Sequence, residues 1–275
     1  MSLEVVQQFG VVELQGLPSK PLRQFGVPPG GAFDTESLAI ANVLVGNEPG
    51  TPAWEMGMAQ ATLRPTCDCL IGIAGAFARV EEFRGGFEGG GVYSTPAEVE
   101  FTVTAPTVGA RVYVAFRAIE YGGPMRFALD DLPDSVASRS RLRVVAGPQA
   151  DLFDPGGLNG PFSVSQTGNR MGIRLEPGIA GHSVELASEP QCVGSIQVSN
   201  DGTLIVIGPD GPTIGGYPKI AVVASCDVPR LAQLRPGDPV RFEMISIEQA
   251  RHLHAESKAK LDRKLRILKL ALGNV

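Results

Sequence analysis

The stretch Gly208–Ala221, GPDGPTIGGYPKIA, constrains this chain more than any other. An apolar run, Thr203–Ile207, leads into it and a second, Ile220–Ala224, leads out, and both read as buried strands. Between them lie Pro209, Gly211, Pro212, Gly215, Gly216 and Pro218. Glycine admits left-handed backbone or the close approach of another group, whereas proline fixes φ and removes a donor. The segment is therefore a shaped loop between two core strands, with Gly215 and Gly216 expected to form a tight turn beside a cleft. It carries Asp210, Thr213, Tyr217 and Lys219 as its polar groups. Loops held by rigid strands often carry function, and an ordinary strand connection is the plainer alternative.

The rest of the sequence suits a strand-rich fold. With 34 Gly and 22 Pro in 275 residues, 43% hydrophobic content and 19% charge, it reads as many short strands joined by turns. No apolar run is long enough to span a bilayer and no signal-peptide pattern opens the chain, so the expected compartment is the cytoplasm with no membrane association. A net charge of −5 gives no reason to expect nucleic acid. Cys67, Cys69, Cys192 and Cys226 are scattered and are read as reduced, packed thiols. With three His in the chain, no metal site is expected.

Two helices stand out. Asp34 is an N-cap candidate, Glu36 suits the first turn, and Gly46-Asn47 stops a helix over Asp34–Val45. Asp34 has two readings, a cap or a contact with substrate or partner near the helix start. Ile247–Leu272 lacks Gly and Pro and places Ile247, Ala250, His254, Leu261, Leu265, Leu268 and Leu272 at helical steps. Its other face is basic. Elsewhere Trp54–Met58 and Ala59–Leu63 read as strands around Gly57, with Glu55 among apolar neighbours. A carboxylate there needs a partner or a raised pKa, unless it faces solvent. Cys69–Ala74, Ala97–Val103 and Arg111–Phe116 read as strands, Ala78–Tyr93 as hairpin and loop. Tyr121–Ser140, with Gly122-Gly123-Pro124 and Asp130-Asp131, reads as a linker before a second strand-rich half, Leu142–Phe242. The domains expected are 1–137, 138–246 and a tail, 247–275.

Several segments resemble one family. Thr213–Ile220 is similar to the TTGGYP-[RK]-I segment of the allophanate hydrolase subunit 2 family. That family includes the C subunit of 5-oxoprolinase, the Kip-type antagonist and the carboxyltransferase domain of urea carboxylase. Gly26–Asp34 resembles GVPxSGAxD, Ala41–Asn47 resembles AN-LVGN, Asn169–Leu175 resembles DRMGYRL, and Asp227–Asp238 resembles D-PKLAQLRPGD. The order is the family's and the coverage runs over residues 10–250. The resemblance implies an all-β fold of two cyclophilin-like barrel halves, to which the residues read above add one short internal helix and a C-terminal helix. It implies a Kip-inhibitor-like partner, the B subunit, and an amide- or urea-like small molecule in a cleft between the halves. Asp210 would be acid/base or anchor, with Thr213 and Tyr217 donating hydrogen bonds. Arg170, Asn169, Gly215, Gly216, Lys219, Asp34 and Glu55 would contact substrate, Arg170 holding an anion. Arg170 and Asp210 would pair if they meet. The pattern GxxxxGK[ST] and a biotin-attachment pattern are both missing, so ATP or biotin would come through partner subunits. A homo-oligomer through the tail is also open.

The sequence departs from the family at named places. The acid and arginine of its opening TVQDxGR align with Leu17 and Lys20. The Arg and Gln of DRQTTGGYP align with Gly211 and Pro212, and the Asp of DRMG is Asn169. These losses keep a second reading open: a non-catalytic Kip-type regulatory or binding subunit on the same fold.

Overall fold

A computed structural model describes residues 2–19, 21–82, 87–120, 122–129, 140–182, 184 and 186–273. Asp130-Asp131 and the 137/138 boundary lie outside the described residues. The chain divides into two compact units. One comprises Met1–Leu17, Asp34–Pro133 and Lys260–Val275, the other Pro18–Phe33 and Asp134–Ala259.

The first unit holds a nine-stranded sheet. Its strands are β1 (Leu3–Gln15), β2 (Ala53–Pro65), β3 (Cys69–Phe77), β4 (Arg79–Glu82), β5 (Phe87–Glu88), β6 (Gly91–Thr95), β7 (Phe101–Val103), β8 (Val108–Ala118) and β9 (Arg126–Ala128). They run in the order β5-β4-β7-β2-β8-β3-β6-β9, with β1 against β2. The nearly continuous apolar β3 takes a central place between β8 and β6, as a strand covered on both faces must. Two strand readings change. The expected pair around Gly57 is the single strand β2, because the ladder to β1 absorbs the irregularity in bulges while Met58 takes φ 48°. The expected linker contains β9, paired antiparallel with β6.

Thr35–Leu44 is the internal helix, with Asp34 as its N-cap. Asp34 Oδ1 accepts from Ser37 N at 3.0 Å and its Oδ2 from Ser37 Oγ at 2.6 Å. The helix ends at Gly46, φ 75°. Its approach to the sheet is set by Gly72, where an added Cβ would stand 2.3 Å from the Ala41 carbonyl oxygen. Asn42, fully buried, donates to the Leu38 and Thr51 carbonyls, and Asn47 donates to Asn42 and to the Phe116 carbonyl. The Ala41–Asn47 motif is thus accounted for by helix closure, since buried amides must be paired.

The second unit is a closed seven-stranded barrel. It contains β10 (Arg141–Ala146), β11 (Phe162–Val164), β12 (Gly172–Glu176), β14 (Ser195–Val198), β15 (Leu204–Ile207), β17 (Lys219–Val223) and β18 (Pro239–Met244). A separate ladder joins β13 (Glu189–Pro190) to β16 (Ile214–Gly215). Leu142, Val144, Leu175, Ile196, Val198, Leu204, Val206 and Val240 fill the interior. The fold is the expected all-β one with its internal and C-terminal helices.

Ile247–Leu272 is one 26-residue helix. The unit division falls within it, between Ala259 and Lys260. Leu265 and Leu268 are buried, whereas Ile247 and His254 of the expected stripe are exposed. His254 Nδ1 instead meets Ser225 Oγ at 3.1 Å. All four cysteines are free thiols, but Cys192 is exposed rather than packed. No helix among the described residues is long and apolar enough to cross a membrane.

Candidate functional site

The Gly208–Pro218 loop begins with a close crossing of two backbones. Gly208 N donates to the Met171 carbonyl at 3.0 Å and Asp210 N to the Arg170 carbonyl at 3.2 Å. A Cβ on residue 208 would stand 2.1 Å from the Arg170 carbonyl oxygen, so glycine is required there by proximity. This crossing brings Arg170 to Asp210, as the sequence suggested. Nε donates to Oδ2 at 2.7 Å and an Nη to Oδ1 at 2.9 Å, a bidentate pair. The same Nη donates to the Gly31 carbonyl at 2.7 Å, while Gly30 N donates to the Pro209 carbonyl at 3.0 Å. Gly30 and Gly31 take φ 56° and 75°, the left-handed values that let this segment turn. The Gly26–Asp34 and DRMG-like motifs therefore converge on the head of the loop. Asn169 serves the turn locally, its Oδ1 accepting from Met171 N at 2.9 Å.

Beyond Asp210 the loop borders a cleft of about 460 Å³, within the range of small-molecule sites. Leu186, Gln191, Gln197, Gly215, Gly216 and Tyr217 line it, with Val184, Asn200 and Pro212. The expected tight turn at Gly215 and Gly216 is corrected here: neither has a positive φ, and Gly215 lies in the β13–β16 ladder. The glycine at 215 leaves space for the Gln191 carboxamide: a Cβ would stand 2.1 Å from Gln191 Nε2 and would push that side chain aside. Thr213 is buried behind this wall, its carbonyl accepting from Gln191 N at 2.9 Å. Tyr217 is exposed to the cleft side.

Lys219 does not line the cleft. Its Nζ, nearly covered, donates to Glu189 Oε2 at 2.9 Å, and Gln149 Nε2 donates to the same oxygen at 3.1 Å. The Lys219 hydrogen bond, then that of Gln149, holds the Glu189 carboxyl below its ordinary range.

Asp34 and Glu55 belong to the other unit. Glu55 is buried, and its partners are Tyr113, whose hydroxyl donates to Oε2 at 2.6 Å, and Arg111, whose Nε donates to Oε1 at 3.3 Å. Tyr113 Oη in turn accepts from Asp34 N at 2.8 Å. Burial, then the charges of Glu55 and Asp34, pushes the Tyr113 phenol well above its usual value. The residues singled out in the sequence thus fall into separate groups: the Arg170–Asp210–Asn169 head, the cleft wall with Thr213 behind it, the Lys219 pair and the Asp34–Tyr113–Glu55 chain. Gln191 and Gln197 were not among them. A glutamine between Pro190 and Cys192 carries no pattern that sets it apart from a solvated one.

The chain thus carries a closed barrel whose glycine-rich loop borders a polar-edged cleft, and a nine-stranded sheet. The chain belongs to the carboxyltransferase domain family, subdomains A and B, which matches residues 25–120 and 120–244. It is 30% identical to the C subunit of 5-oxoprolinase from Escherichia coli (strain K12), over 83% of this chain and 86% of that protein. Among solved structures, the Kluyveromyces lactis urea carboxylase superposes with a TM-score of 0.80 at 23% identity, over 95% of this chain and 29% of that one. TTHA0988 superposes with a TM-score of 0.75 at 24% identity over 88% of this chain, which spans about half, 55%, of that structure.

Proposed function

We propose that the chain is the counterpart of the 5-oxoprolinase C subunit in an ATP-dependent 5-oxoprolinase, or in a related amide- or urea-processing carboxyltransferase. It acts with a Kip-inhibitor-like B subunit on an amide- or lactam-type small molecule. The observation that carries this is the 460 Å³ cleft against Gly215, Gly216 and Tyr217, on the same loop whose head is fixed by Arg170 and Asp210. Similarity to a 5-oxoprolinase component supports the substrate class. In this reading Tyr217 donates from the cleft wall, and Asp210, 35% exposed at its side chain, is the acid/base or anchor at the loop head. Thr213 supports the wall from behind. ATP or biotin is handled by partner subunits.

One observation favours a second reading. Arg170 donates to both Asp210 oxygens and to the Gly31 carbonyl, which engages the donors an anion would need. A regulatory subunit that binds in the cleft without turnover would keep this arrangement. The two are separated by assaying ATP-dependent lactam ring opening with the chain co-purified with its Kip-inhibitor-like partner. Turnover that requires this chain and falls with Asp210→Asn supports catalysis. A stable complex without turnover on lactam, urea or allophanate supports the regulatory role.

A further inference from the structure

Gln191 is the unusual residue of the cleft. It is 4% exposed, and neither its Nε2 nor its Oε1 has a hydrogen-bond partner. Among the described residues no other carboxamide is left so. Leaving such groups unmade is destabilising, so an apolar residue of the same length would suit a purely structural position better. The backbone beneath it is held tightly. Gln191 N donates to the Thr213 carbonyl, the Gln191 carbonyl accepts from the Arg23 guanidinium, and Pro190 pairs with Ile214 in the β13–β16 ladder. The carboxamide is thus carried on a fixed mount.

A second amide stands beside it. A Cβ on residue 215 would meet Gln191 Nε2 at 2.1 Å and Gln197 Nε2 at 3.0 Å, so the absence of a side chain at Gly215 makes room for both. No charged residue lines the cleft among the described residues. Val184, Leu186 and Pro212 supply apolar wall. A ligand matched to these residues is apolar in body and carries one donor and one acceptor along an edge. The carboxamide offers one N–H and one carbonyl oxygen side by side. Its complement is a cis-amide edge, the N–H beside C=O of a lactam or cyclic urea, which closes two parallel hydrogen bonds.

We propose that Gln191 is the specificity-determining residue of the cleft and reads the cis-amide edge of a lactam or cyclic urea. This rests on the reading of the cleft as the substrate site given above. The amide lies against Gly215 and turns about its side-chain torsions to meet the ring. A site built around such a pair rejects ligands that lack one member of it, because its own polar groups are then left unpaired.

The test is ligand-observed NMR titration of the full chain with 2-pyrrolidinone, 2-imidazolidinone and N-methyl-2-pyrrolidinone, on the wild type and on Gln191→Met. The wild type is expected to bind at least one of the first two about tenfold or more tighter than the N-methyl compound, from the loss of one hydrogen bond. Which of the two binds tighter assigns the lactam or the cyclic urea. Gln191→Met is expected to melt at or above the wild-type temperature and to lose the discrimination. Equal wild-type affinity for the N-methyl compound overturns the assignment to Gln191 and leaves the cleft a small-molecule site. Binding of none of the three overturns both. A lower melting temperature in Gln191→Met, or discrimination that survives it, also overturns the assignment. Should that variant fail to fold, the wild-type comparison decides alone.

Discussion

Neutralising Asp210 is the sharpest test of how the loop is held. Arg170 reaches it through two charge-assisted bonds, 2.7 and 2.9 Å, with the guanidinium side chain 11% exposed and the carboxylate 35%. An exposed ion pair contributes about 0–1 kcal/mol, and breaking a buried one costs about 3–5 kcal/mol. This pair lies between, since water still reaches the carboxylate. A coupling energy of about 2 kcal/mol follows, measured as the non-additive part of a double-mutant cycle through Asp210→Asn, Arg170→Met and both together. The singles are not equivalent: Asp210→Asn leaves a mostly buried guanidinium with the Gly31 carbonyl, whereas Arg170→Met leaves a carboxylate that water can solvate. Asp210→Asn is therefore expected to cost about 2 kcal/mol, roughly 4–8 °C in melting temperature for a chain of this size. Urea unfolding followed by far-UV circular dichroism gives all four corners of the cycle. A coupling below about 0.5 kcal/mol would show the pair to be solvated and the loop head to be fixed by its backbone bonds alone.

Three further outcomes are expected. Gly72→Ala should destabilise the first unit by about 1–3 kcal/mol, because the Cβ would meet the backbone oxygen of Ala41 rather than a yielding side chain; unchanged thermal unfolding would refute the close helix approach. Tyr113→Phe removes the hydrogen bonds to Glu55 and from Asp34 and should cost about 2 kcal/mol, and in the wild type ultraviolet titration should find one phenol un-ionised well above pH 10 until the chain unfolds. Full ionisation of all four tyrosines in the folded protein at ordinary pH would contradict this. The folded-state pKa of Glu189 is depressed from 4.5, so its contribution with Lys219 is present above that value and lost as pH falls through the folded one. Glu189→Gln should then flatten the acid limb of the stability profile, and an unaltered limb would rule the pair out as its source.

Much of this was legible in the sequence, for identifiable reasons. Asp34 announced a cap because Asp before a helical run with an acid in the first turn has few other uses. Arg170 and Asp210 were legible as partners only through the motifs that contain them, since forty residues separate them. Glu55 was legible as a carboxylate needing a partner, but its partner's identity was not: Tyr113 lies on β8, and cross-strand register is set by the whole sheet. Gly215 and Gly216 were misread because glycine reports either a left-handed φ or a close neighbour, and sequence does not say which. Gln191 was invisible because its distinction is a lack of partners, a property of its surroundings alone.

The interleaving of the two units has a consequence for how the chain is made. Residues 18–33 belong to the barrel unit, yet they are synthesised between two parts of the other unit, whose last part, from Lys260 on, follows the barrel. Cutting the chain after Pro133 would leave Phe33 on one fragment and the core it packs in on the other, and would sever the Gly31–Arg170 bond. The units therefore resist excision by a single cut. During synthesis all nine strands of the first sheet precede the barrel's first strand, β10, whereas the helical part of the same unit, from Lys260 on, follows the barrel. The sheet's long edge strand β1, with Phe9, Val11 and Leu14 exposed, is on offer to any passing chain while the barrel is translated.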